Sequence, residues 1–104
     1  MRYVWLGMMI ALLATGCGEA QEMGQPGRGL ALARRLCAEC HAVQKEQAHS
    51  PDENAPRFQV VASVPGMTAI ALSAALNTSH RSMPNIILEG DERADIVAYI
   101  LSLK

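Results

Sequence analysis

Cys37-Ala38-Glu39-Cys40-His41 is the stretch on which the reading of this chain turns. Two thiols separated by two residues, with an imidazole directly after the second, form the spacing that attaches a c-type haem. The spacing has a physical reason. Each thiol forms a thioether to one vinyl group of the macrocycle, and the two intervening residues set the span. The adjacent histidine then falls beneath the iron and supplies a nitrogen ligand. A bare Cys-x-x-Cys can instead be a redox dithiol, but that arrangement belongs beside a βαβ pattern, which is absent from this sequence. It can also be half of a zinc site, but there is no second cysteine pair, and His49 and His80 alone are weak partners.

Toward the N-terminus, Gly27 to about Ala38 carry a helical pattern, with Gly29, Ala33, Leu36 and Cys37 on one face. Residues 18–26 are polar and glycine-containing and read as a flexible tether. Arg2, the apolar run Tyr3 to Ala14 and then Thr15, Gly16 and Cys17 have the pattern of a secretory signal. The run is shorter than the roughly 20 apolar residues of a membrane span; a buried core helix is the alternative. The expected organisation is a signal at 1–16, a tether at 17–26 and one domain at 27–104. That domain keeps only Phe58 and Tyr99 as aromatics, since Tyr3 and Trp5 lie in the signal. A domain so small often needs a cofactor to complete its core.

Cys17 is left over once the motif takes two cysteines, and an unpaired thiol in an oxidising compartment needs an explanation. Ala14-Thr15-Gly16-Cys17 is similar to a bacterial lipobox, with Ala14 where leucine is usual and Leu13 one place further back. Lipidation of Cys17 is the favoured reading, giving a membrane anchor and a tether reach of roughly 17 Å. Cleavage after Ala20, which would discard Cys17, is the alternative.

Toward the C-terminus, residues 42–55 are polar and read as a loop. A short helix is expected from Pro56, carrying Phe58, Val60 and Val61, and broken at Pro65-Gly66. Thr68 has the character of an N-cap for a third helix ending near Asn77. A loop at 78–90 follows, and Asp91 or Gly90 is expected to cap the last helix. There Ile96, Tyr99, Ile100 and Leu103 recur as an amphipathic stripe. The formal charge of −1, without a basic run, gives nucleic-acid binding no support.

A sixth ligand to the iron must come from a distant segment. Met83 is the best candidate: it lies in the loop between the last two helices, and Pro84 restrains the backbone around it. His80 is the rival. Met67 reads as core or helix start, Met23 as tether and His49 as a solvated loop residue.

With these elements in order, the chain resembles the class I cytochrome c family, especially small bacterial monohaem forms, from about Gly29 to Lys104. The resemblance rests on Gly29 ahead of Cys37-Ala38-Glu39-Cys40-His41, then Ala55-Pro56-Arg57-Phe58, His80-Arg81-Ser82-Met83-Pro84 and Asp95-Ile96-Val97-Ala98-Tyr99-Ile100. It implies an all-α cytochrome c fold of three to five short helices wrapped around one covalently bound haem c. The N- and C-terminal helices would cross, with Gly29 against Ile96 and Tyr99. Ala33 stands where the family often places a larger aromatic. The resemblance further implies that the Pro56 carbonyl accepts a hydrogen bond from the His41 ring, and that the third helix packs beside the haem.

The implied role is one-electron transfer, not catalysis, with His41 and Met83 as axial ligands. Filling both axial positions leaves no iron site for substrate, and methionine raises the potential relative to nitrogen donors. The alternative is a haem sensor or peroxidase-like catalyst with a labile sixth ligand. The expected partners are a redox donor and acceptor such as a membrane oxidoreductase, oxidase or dehydrogenase. The expected setting is the bacterial periplasm, as a monomer.

Overall fold

A computed structural model describes residues 23–78, 80 and 82–104. Four helices follow in order: α1 Pro26–Leu36, α2 Phe58–Ala62, α3 Ala69–Leu76 and α4 Gly90–Leu101. No strand occurs among the described residues. The architecture is the all-α one implied by the resemblance. Among the described residues no helix is long and apolar enough to cross a membrane. The signal pattern at 1–16 and Cys17 lie outside the described residues.

α4 is the centre of the molecule and packs against α1, α3 and α2, most extensively against α1. Its stripe is buried as the periodicity predicts: Ile96, Tyr99 and Ile100 lie in the core with Val97, and Leu103, just past the helix end, joins them. Burying a side chain of this size contributes about 1.5–3 kcal/mol. α1 contributes Gly29, Leu32 and Ala33, spaced to fall on one face. Ala33 is fully buried, so the small side chain lies within the packed crossing. Leu36, expected on the same face, is instead 39% exposed. It lies in the last turn of α1, beyond the crossing, and borders a cleft described below.

The crossing is close because two glycines permit it. A Cβ at Gly29 would sit 2.0 Å from the Asp95 carbonyl oxygen and 2.7 Å from the Tyr99 Cβ. A Cβ at Gly24 would sit 1.8 Å from the Ala94 carbonyl oxygen. Gly24 and Gln25, expected to be tether, are therefore docked on α4. The Gln25 N–H donates to Asp95 Oδ1 at 2.7 Å, and Arg28 Nε donates to Asp95 Oδ2 at 2.9 Å. Pro26 opens α1, where a missing N–H costs nothing.

The other helix ends follow local chemistry. Thr68 Oγ1 accepts from the Ala71 N–H at 3.1 Å, the cap expected for α3. The cap of α4 is Glu89, one or two residues earlier than expected, because Glu89 and Glu92 form a reciprocal capping box. Asp91 and Glu92 lie in the first turn, where negative charge interacts favourably with the helix dipole. α2 begins at Phe58, not Pro56. Arg57 supplies the first carbonyl of that helix, to the Val60 and Val61 N–H groups, which leaves the Pro56 carbonyl outside it.

Asp95 is buried and charged. Its carboxyl is held below the usual range by the Gln25 N–H; burial opposes this, and Arg28 reinforces it. Asp95→Asn should lower stability by about 1–3 kcal/mol at neutral pH, since hydrogen bonds to a charged group are weakened. The folded pKa lies below the unfolded value of about 3.9, so the stabilisation is complete above that pH and is lost as pH falls through the folded pKa. Denaturant melts of the haem-loaded protein from pH 7 to pH 3 should show the two proteins converging on the acid side.

Candidate functional site

α1 runs directly into the motif. The Cys37 and Ala38 N–H groups both donate to the Ala33 carbonyl, at 2.9 and 3.0 Å, and close the helix. The Cys40 and His41 N–H groups both donate to the Cys37 carbonyl, at 3.2 and 2.9 Å. This second tight turn brings His41 back beside the end of α1. Both thiols are free and half-buried. Burial pushes the Cys37 thiol up to about 11, so it is protonated at neutral pH. A redox dithiol needs the opposite shift, toward a reactive thiolate.

The segment after the motif is held at almost every backbone group. The Cys40 carbonyl accepts from the Asp52 N–H at 3.1 Å, and the Ala42 carbonyl accepts from the Phe58 N–H at 3.0 Å. The Ala42 N–H donates to Ser50 Oγ at 3.0 Å, and the Val43 N–H donates to Gln47 Oε1 at 3.1 Å. The Val43 carbonyl accepts from the Tyr99 hydroxyl at 2.5 Å. Ala42 and Val43 are buried, although they open a run read as a polar loop. The one sequence signal for this was Val43 itself, an apolar residue beside a polar stretch. The roles of Ser50, Gln47 and Tyr99 Oη had no signal, because they depend on where the chain returns.

His41 is held from two sides. Its Nδ1 lies 2.7 Å from the Pro56 carbonyl oxygen. A carbonyl only accepts, so Nδ1 is the donor and, in the neutral ring, Nε2 keeps its lone pair. The ring also packs on Phe58, with centroids 5.2 Å apart and planes tilted by 48°. The carbonyl is available because α2 begins two residues later.

A cleft of about 410 Å³ opens beside this turn. Cys37, Cys40 and His41 border it, with Leu72, Ala75 and Leu76 of α3, Phe58 of α2 and Ile100 of α4 as apolar wall. The segment before α4 adds His80, Met83, Pro84 and Ile86. The structure thus gathers Cys37, Cys40, His41, Pro56 and Met83 around one space. His80 borders it too, but is exposed, whereas Met83 is half-buried. The Met83 N–H donates to the His80 carbonyl at 3.1 Å, closing a turn in which Ser82 has φ +64°. This left-handed conformation costs a residue with a Cβ about 1–2 kcal/mol. Met67 packs on the core, Met23 and His49 are exposed, and none of the three borders the cleft.

The residues fit a covalently bound haem. They offer two thiols, an imidazole with a free Nε2, a thioether and an apolar wall, around a volume in the range of cofactor sites. A structural zinc site needs four ligands. Among the described residues no three of His, Cys, Asp or Glu cluster to hold a metal ion.

Comparison with known proteins agrees with this geometry. The family model described as Cytochrome c matches residues 26–104. A curated relative from Bradyrhizobium diazoefficiens, Cytochrome c-552, is 34% identical over 98 residues, covering 94% of this chain and 93% of that protein. No solved structure matches this chain.

Phe58 supports both the cleft and the His41 ring. Phe58→Ala should cost about 3–5 kcal/mol, the range for deleting a buried aromatic, read as a lower denaturant midpoint for the haem-loaded protein. Phe58→Leu, which keeps most of the volume, should cost less.

Proposed function

Because this chain belongs to the cytochrome c family, whose members carry covalent haem c and transfer electrons, we propose that it is a one-electron carrier with His41 and Met83 as the two axial ligands. The haem, when bound, supplies the one-electron chemistry. Cys37 and Cys40 would hold it by thioethers. The observation that carries the reading is the hydrogen bond from His41 Nδ1 to the Pro56 carbonyl, because it leaves Nε2 free to ligate and keeps the ring from turning. Met83 is the distal donor favoured by its burial and by the turn that holds it beside the cleft. The apolar residues of α2, α3 and α4 exclude water and favour the less charged, reduced state.

With His41 and Met83 both holding the iron, no position would be left for substrate, which favours electron transfer over a sensor or peroxidase-like role. The partners are a redox donor and an acceptor, such as a membrane oxidoreductase, oxidase or dehydrogenase. The protein would act in the periplasm, held to the membrane by a lipid at Cys17. Cys17→Ser should then move it from the membrane fraction to the soluble periplasm, or leave an uncleaved precursor. A soluble wild type beginning at Gln21 would establish cleavage after Ala20 instead.

Met83→Ala tests the ligand and the function together. The protein should still fold, since the α1–α4 crossing does not involve Met83. The spectrum should turn high-spin if water enters, or stay low-spin at a lower potential if His80 takes the site, because nitrogen stabilises ferric iron more than thioether does. Met83→Ala/His80→Ala separates these outcomes. An unchanged spectrum and potential in Met83→Ala, with loss of the low-spin state in His80→Ala alone, would make the site bis-histidine and end the high-potential reading.

A further inference from the structure

Tyr99 joins two parts of the molecule that the chain order keeps apart. It lies on α4, buried at the crossing, where its Cβ is one of the atoms that excludes a side chain at Gly29. Its hydroxyl crosses to the Val43 carbonyl, two residues after His41. Val43 is buried, and its N–H is already committed to Gln47. The neighbouring Ala42 is tied at its N–H to Ser50 and at its carbonyl to Phe58. Phe58 in turn lies two residues from Pro56, whose carbonyl takes the His41 ring proton. His41 therefore sits in a closed circuit: α1, the motif turn, Val43, Tyr99 and back to α1 through Gly29.

We propose that Tyr99 is a positioning residue for His41: by holding the Val43 carbonyl, its hydroxyl fixes the segment that keeps the imidazole Nδ1–H on Pro56. The inference rests on the reading of His41 as the proximal iron ligand. A buried phenol hydroxyl needs an acceptor, and a buried carbonyl needs a donor. Either alone would explain a structural bond. The positioning role follows from what the bond ends on. Val43 and Ala42 lead straight back to the ligand, and nothing flexible intervenes. When the hydroxyl is removed, the Val43 carbonyl loses its tie to α4, and the 41–44 segment can shift relative to Pro56. The Nδ1–H···O=C bond then lengthens, the imidazole becomes a poorer donor to the iron, and the ferric state loses stabilisation.

The test uses the haem-loaded protein with Tyr99→Phe, which keeps the ring packing, and Asp95→Asn as a control that weakens the same helix crossing without touching the Val43 segment. The readouts are hydrogen exchange of the His41 Nδ1–H by NMR and the midpoint potential. In Tyr99→Phe the Nδ1–H should exchange about tenfold faster, the effect of losing roughly one hydrogen bond's worth of restraint, and the potential should rise. Asp95→Asn should leave the exchange at the wild-type value while lowering the melting midpoint; it removes a buried negative charge, so the potential is compared between the Tyr99 variants alone. 3-Fluorotyrosine at position 99 keeps the fold and strengthens the donor, so it should shift the potential the other way; this arm decides the matter if Tyr99→Phe fails to fold. Wild-type exchange and potential in the Tyr99 variants, or an equal rise in exchange in Asp95→Asn, would overturn the positioning role and leave His41 as ligand. A wild-type spectrum without an iron-bound His41 would overturn both.

Discussion

The approach of α1 to α4 at Gly29 is the constraint on which the rest of this structure depends. Backbone meets backbone there, with the Asp95 carbonyl where a side chain at position 29 would be. Close contact brings Asp95 under the first turn of α1, where Gln25 and Arg28 satisfy it. It also sets Tyr99 at the depth from which its hydroxyl reaches Val43. The motif begins where α1 ends, so the crossing fixes the cysteines and His41 relative to the Ile96 and Ile100 core. A larger residue at position 29 would push the two helices apart and move the Cys37–His41 turn away from the cleft wall on α4.

The two sides of the cleft are built differently. On the His41 side, backbone groups from Cys40 to Val43 are tied to four other segments, and the ring itself is tied to Pro56. On the Met83 side, among the described residues, the turn bond at His80–Met83, the Arg93 guanidinium donating to the Leu88 carbonyl at 2.9 Å and the burial of Leu88 just before α4 hold the chain. A stiffly held His41 side suits a carrier that must change charge with little rearrangement. Pro84 and the left-handed turn at Ser82 add backbone restraint on the Met83 side.

Much of this was legible in the residues. The spacing of Cys37, Cys40 and His41 named the cofactor, and the stripe from Ile96 to Leu103 placed α4 in the core. Thr68 marked the start of α3 because a hydroxyl at that place has one strong local use. These are local signals, and each needs only its own neighbours. The misplaced features involve competition or distance. Glu89 took the cap of α4 because its box with Glu92 satisfies two N–H groups at once, where Asp91 alone would satisfy fewer. Pro56 stayed out of α2, and its place beside His41 came from the family resemblance, since nothing in Ala55-Pro56-Arg57 points to an imidazole. Gly24 and Gln25 read as tether because the carboxylate that anchors them lies far along the chain. Val43 was hidden in a polar run for the same reason.

The central claim is that Cys37 and Cys40 carry the haem covalently, directly before the ligating His41. Acid–organic extraction of the purified protein, followed by proteolysis and mass spectrometry, tests it most directly. The account predicts that the haem stays with the protein and is found on the peptide containing Cys37 to His41, with both sulfurs modified. Haem released entirely into the organic phase, with Cys37 and Cys40 recovered as free thiols, would contradict it.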